Sequence, residues 1–98
     1  MSSEYRIERW TEVAAPNAAM LRLRMIMEGY SVFQWADHPG TFYGPHKHET
    51  FQSHWVISGR LELTVAGSGT FELGPGDRDF MPPDTYHRRW VFAIRLLY

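Results

Sequence analysis

GTFYGPHKHETFQSHWVISG, residues 40–59, is the stretch that decides how this chain folds. Read as an extended segment, it places His46 and His48 on one face, because alternate residues of a strand point the same way. Two imidazoles projecting together can share one metal ion. Continuing by twos brings Thr50, Gln52 and His54 to that face and turns Glu49 away from it. His48-Glu49 also opens like the helical zinc-protease pattern H-E-x-x-H. That pattern requires a second histidine at position 52, which is Gln, and Thr50 and Phe51 suit a strand better than a helix interior. The protease reading therefore fails.

Working outward, Arg60-Leu61-Glu62-Leu63-Thr64-Val65 alternates cleanly, with the apolar members on one face. Ser58-Gly59, Gly67-Ser68-Gly69 and Gly74-Pro75-Gly76-Asp77 read as turns, Asp79-Phe80-Met81-Pro82-Pro83 as a short strand, and residues 86–98 as a final run. Upstream, residues 30–36 are aromatic and β-branched and end at the turn Asp37-His38-Pro39-Gly40, where His38 is expected to be exposed. Residues 4–10 alternate as a first strand. Between them lies one helix candidate: Pro16-Asn17 is a start signal, residues 18–28 are strong helix formers, and Gly29 is a C-terminal cap. The alternation Leu-Arg-Leu-Arg-Met inside it competes as a strand pattern. Evenly spaced short strands with Gly and Pro turns indicate an all-β sandwich or small barrel. Residues 1–29 are expected to form an N-terminal strand and helix and residues 30–98 the barrel, all within one domain, since 98 residues do not enclose two cores.

Two spaced patterns make the reading more specific. Gly40-x5-His46-x-His48-x3-Gln52-x6-Gly59 resembles the first motif of the cupin superfamily, with Gln where Glu is usual. Gly76-x5-Pro82-x-Asp84-x2-His87-x3-Val91 resembles the second, with Asp for Gly and Val for Asn. The resemblance implies a double-stranded β-helix, a jelly-roll barrel, holding a divalent transition metal on His46, His48, Gln52 and His87. Imidazole-rich sets suit Zn, Mn, Fe, Ni or Cu, and the sequence does not choose among them. Some cupins with three His and one Gln are active metalloenzymes, so Gln52 does not by itself mark a dead site. Family analogy offers dioxygenase, isomerase, decarboxylase or lyase chemistry on a small oxygen-bearing molecule, with a non-catalytic ligand-binding or sensor module as the alternative. His54 faces the barrel by parity and is the candidate general acid or base, because imidazole titrates near neutral pH.

Composition narrows the partners. Eleven acidic against ten basic residues give a net charge of −1, which argues against an electrostatic nucleic-acid binder. The absence of cysteine removes disulfide scaffolds, thiolate metal sites and a Cys nucleophile. No apolar run approaches the roughly 20 residues of a membrane span, and the N-terminus lacks a signal-peptide core, so no membrane partner and a cytoplasmic location are expected. A homodimer covering an exposed sheet face or edge strand is expected for so small a barrel. Trp55, off the metal-facing parity, is placed on the outside of the barrel or against a partner subunit. Asp77-Arg78-Asp79 reads as a salt-bridged turn, with anion binding through Arg78 as the alternative. Arg88 and Arg89 read as surface charge, the alternative being that one faces the barrel mouth and attracts a carboxylate.

Overall fold

The computed structural model describes residues 4–38 and 40–97. Pro39 and Tyr98, which the sequence reading assigns to a turn and the last strand, lie outside the described residues, as do residues 1–3. The chain builds β1 (Arg6–Glu8), α1 (Ala18–Met27), β2 (Gln34–Asp37), β3 (Phe42–His46), β4 (Trp55–Val65), β5 (Gly69–Leu73), β6 (Arg78–Phe80) and β7 (His87–Leu97). Among the described residues all the pairings are antiparallel, in the order β1-β6-β4-β7-β2, with β3 on β7 and β5 on β4. This mostly-β architecture with one helix is the expected jelly-roll barrel.

Helix α1 wins over the competing strand pattern through its ends and its buried stripe. The Asn17 side chain accepts the Met20 amide at 3.1 Å, satisfying one of the donors a helix start leaves unpaired. Gly29, at φ 97°, lets the Tyr30 amide return to the Met25 carbonyl at 3.1 Å. Leu21 and Met25, one turn apart, are buried against Trp55 and Leu97. Trp55 thus lies outside the barrel wall, beneath α1, where its indole donates to the Gly76 carbonyl at 2.8 Å.

The turn expected at Ser58-Gly59 is instead a bulge within one continuous strand. β4 runs unbroken from Trp55 to Val65, with register shifts against β7 on both sides of Ser58. Gly59 sits at φ 83°, a conformation that a turn and a bulge both require and glycine adopts freely. The shift also exchanges parity. Val56 before the bulge and Leu61, Leu63 and Val65 after it share one core cluster with Leu73 and Val91. An uninterrupted period of two would have put even and odd positions on opposite faces. Burial of each such side chain stabilises the fold by about 1.5–3 kcal/mol relative to exposure.

Gly76 is the tightest point. It lies at φ 85°, and a Cβ there would run into the root of the Trp10 ring. Trp10 is itself tied down by its amide, which donates to Asp77 at 2.9 Å. Gly76→Ala is therefore expected to destabilise the protein by about 2–4 kcal/mol, from left-handed strain and overpacking together. Urea denaturation measures this directly. A loss below about 1 kcal/mol would mean that the Trp10 ring moves aside freely. No helix among the described residues is long and apolar enough to cross a membrane.

Candidate metal centre

The barrel's hydrogen-bond register brings two histidines face to face. His46 ends β3 and His87 begins β7, and the two are direct partners in the antiparallel ladder. Side chains opposite one another on such a pair project from the same face a few ångströms apart. Their ring centroids lie 4.2 Å apart. His48 completes the group, with its ring 5.0 Å from His46 and 5.4 Å from His87. One nitrogen from each of the three lies within 4.8 Å of the others.

His48 is not on a strand, which corrects the reading of residues 41–57 as one extended run. β3 stops at His46, and residues 47–54 are irregular apart from an isolated bridge between Gln52 and Met81. The segment is held from the second motif: the Asp84 amide donates to the His48 carbonyl at 2.8 Å. Asp84 has φ 59°, which explains why Asp can stand where the resembled motif has Gly. Its short polar side chain tolerates the left-handed region better than most.

The ring nitrogens fit the role of metal ligands. His46 Nδ1 meets the Gly44 carbonyl at 2.6 Å, and His87 Nδ1 meets the Thr85 carbonyl at 2.9 Å. A carbonyl only accepts, so Nδ1 carries the proton and the lone pair falls on Nε2. Backbone acceptors commonly orient metal-binding imidazoles in this way. Burial holds the His87 imidazole down to about 4, with neighbouring imidazoles adding to the effect and the Thr85 carbonyl opposing it. Burial lowers His48 as well, again helped by His46 and His54 and by the Arg89 charge. Both rings are therefore neutral at pH 7, the form a metal requires.

His54, the candidate general acid or base, is buried and committed to Asp79. Its Nδ1 donates to Asp79 Oδ1 at 2.9 Å, and its amide donates to the same oxygen at 2.7 Å. Tyr5 donates to the other carboxylate oxygen at 2.9 Å. Burial and Asp79 both raise the Tyr5 phenol above its usual range, which keeps that donor protonated. Asp79 is itself 0% exposed. Sequence reasoning missed it, because nothing local distinguishes a buried acid in Asp77-Arg78-Asp79 from a solvated one.

That segment is not the salt-bridged turn expected of it. Asp77 closes the turn through the Gly74 amide at 2.9 Å, but Arg78 and Asp79 belong to β6 and are buried. Arg78 reaches across the fold to the Glu28 carboxylate with both terminal nitrogens and donates to Ser53 Oγ at 2.8 Å. Its guanidinium also lies 4.4 Å from the Trp55 ring centroid. With its donors so committed, Arg78 is a tie between α1 and the barrel rather than an anion site, and its hydrogen bonds, aided by its charge, hold the Glu28 carboxyl below the usual carboxylate range. Gln52 exchanges backbone bonds with Met81 at 2.9 and 2.7 Å and lines a cleft with Tyr30, Phe33 and Phe51. His38 is exposed, as expected, with its carbonyl closing the turn to Thr41.

Comparison with known proteins agrees with this fold. The family model of the Cupin domain matches residues 33–90, more than half of the chain. A DUF861 family protein from Thermotoga maritima, solved by crystallography, superposes with a TM-score of 0.63 at 16% identity, over 97% of this chain and 98% of that one. That likeness concerns the fold alone. No curated protein matches the sequence. With both spaced motifs meeting at one histidine cluster inside a jelly-roll barrel, the chain belongs to the cupin family.

Proposed function

We propose that this cupin holds a divalent transition metal on His46, His48 and His87, with Gln52 as a fourth ligand, and acts as a metalloenzyme on a small oxygen-bearing organic molecule. The observation that carries the reading is the convergence of three imidazoles, two with Nδ1 already engaged by a backbone carbonyl. When bound, the ion supplies Lewis acidity, undiminished by any carboxylate ligand, so it polarises a substrate oxygen strongly. Zn, Mn, Fe, Ni and Cu are all compatible with this donor set.

His54 is the group proposed to move a proton. Asp79 fixes Nδ1 as its protonated nitrogen, which makes Nε2 the basic one and holds the ring in place. A panel of small oxygenated acids and alcohols, assayed with each metal, tests the proposal. Turnover by the wild type is expected to fall by about 10²–10⁴ in His54→Gln with metal content unchanged, and to vanish in His87→Ala. Ligand binding without turnover that survives His87→Ala would instead favour the non-catalytic sensor module.

The proposal takes residues 1–98 as one cytoplasmic domain working as a homodimer. Exposed aromatic rings support a covered sheet face: Phe42 and Trp90 pair at 4.8 Å on β3 and β7, both close to half exposed. A monomer by sedimentation equilibrium at micromolar concentration would remove the dimer from this account.

A further inference from the structure

The sequence allows two readings of Arg88 and Arg89, surface charge or one of them facing the barrel mouth, and β7 places Arg89 inside the barrel. Its ladder partner on β4 is Leu63, a core residue, and its partner on β3 is Tyr43, which packs against that core. His87 and Val91, two residues to either side, pair with Val65 and Leu61 on the same inner face. Arg89 thus lies one layer from the histidine cluster, about 7 Å along the strand, and its charge is felt at His48.

The guanidinium is held but not neutralised. It lies over the Tyr43 ring, 4.1 Å from the centroid. Its Nε is buried without a hydrogen-bond partner, and among the described residues Arg89 makes no ion pair. Asp37, the acid bonded to the Tyr43 hydroxyl, is already engaged: it accepts from Tyr43 at 2.9 Å and from Trp35 at 2.8 Å. A half-buried arginine lacking a counter-ion carries an unrecovered desolvation cost. A planar anion able to take the guanidinium fork recovers it.

We propose that Arg89 anchors the carboxylate of a small organic acid within the barrel, with Tyr43 holding the guanidinium in place and the acid's second oxygen function directed at the His46–His48–His87 cluster. The one-layer spacing limits that acid to a few carbon atoms. This inference rests on the metal-site reading above and specifies the substrate class for it.

Calorimetric titration of the zinc-loaded full chain with malonate, its neutral counterpart malonamide, and inorganic phosphate tests the assignment. Malonate is expected to bind at least about ten-fold more tightly than malonamide, the scale of one charge-assisted bidentate contact. Arg89→Met is expected to lose that ten-fold preference, and Arg89→Lys, which keeps the charge without the fork, to recover part of it. Both variants are expected to keep bound zinc, and Arg89→Met to melt at or above the wild-type temperature because an uncompensated buried charge is gone, which separates lost anchoring from lost folding. Equal malonate affinity in wild type and Arg89→Met, or equal binding of malonamide, overturns the proposal. Tighter binding of phosphate than of malonate overturns the carboxylate assignment. If zinc fails to bind the wild type, the metal reading falls, and a malonate preference lost in Arg89→Met still supports the anion site by itself.

Discussion

His87→Ala is expected to abolish the thermal stabilisation that a divalent metal gives the wild-type protein. A ligand at 100 times its dissociation constant stabilises the folded state by about 2.7 kcal/mol. For a domain near 100 residues, each kcal/mol raises the melting temperature by about 4–8 °C. Zinc or manganese added to chelator-treated wild type should therefore raise it by about 10–20 °C, and the same addition to His87→Ala by a few degrees at most. His87 is the informative choice because it is buried, and its ring stands against His46 across the β3–β7 ladder. His38→Ala is the control: that histidine lies in an exposed turn away from the cluster, so the full metal-induced rise should remain. A full rise in His87→Ala would place metal binding elsewhere.

The second large effect lies at Asp79. Replacement by Ala strands three donors in a buried environment: the Tyr5 hydroxyl, the His54 amide and His54 Nδ1. Each unsatisfied buried donor costs about 1–3 kcal/mol, and loss of one partner from a buried polar cluster typically costs about 3–5 kcal/mol overall. Against a total stability of about 5–15 kcal/mol, Asp79→Ala should unfold at markedly lower urea concentration. Asp79→Asn keeps the shape and some acceptor capacity and should lose about half as much. Tyr5→Phe removes one bond and should cost about 1 kcal/mol. Equilibrium urea unfolding of the three variants distinguishes them. An Asp79→Ala stability within 1 kcal/mol of wild type would contradict the reading of this cluster as a structural anchor for His54.

The contrast between Leu63 and Asp79 shows what local pattern can and cannot carry. Leu61, Leu63 and Val65 were legible as one face because apolar alternation at a period of two is a property of six consecutive residues. Asn17 and Gly29 were legible as helix ends because capping is a local backbone requirement. The histidines were legible through motif spacing, and the fold explains that spacing by making His46 and His87 ladder partners. Ser58-Gly59 misled because positive φ serves a turn and a bulge equally, and only the partner strand decides which forms. His48 reaches the cluster from an irregular segment, so strand parity gave the right neighbour through the wrong backbone. Asp79, Arg78 and Arg89 were misjudged for a common reason. A charged residue's burial depends on partners up to 74 positions away in sequence, as Tyr5 is from Asp79. For Arg89 a usable signal did exist: two residues beyond an inward-facing His87 on the same strand is again inward.

The central claim is that one ion sits among His46, His48 and His87 inside the barrel. Anomalous diffraction at the absorption edge of the bound metal, from crystals grown with zinc or manganese, tests it most directly. A single strong peak is expected within about 2.0–2.3 Å of an imidazole nitrogen from each of the three residues. A peak bound elsewhere, or none at saturating metal, would contradict it.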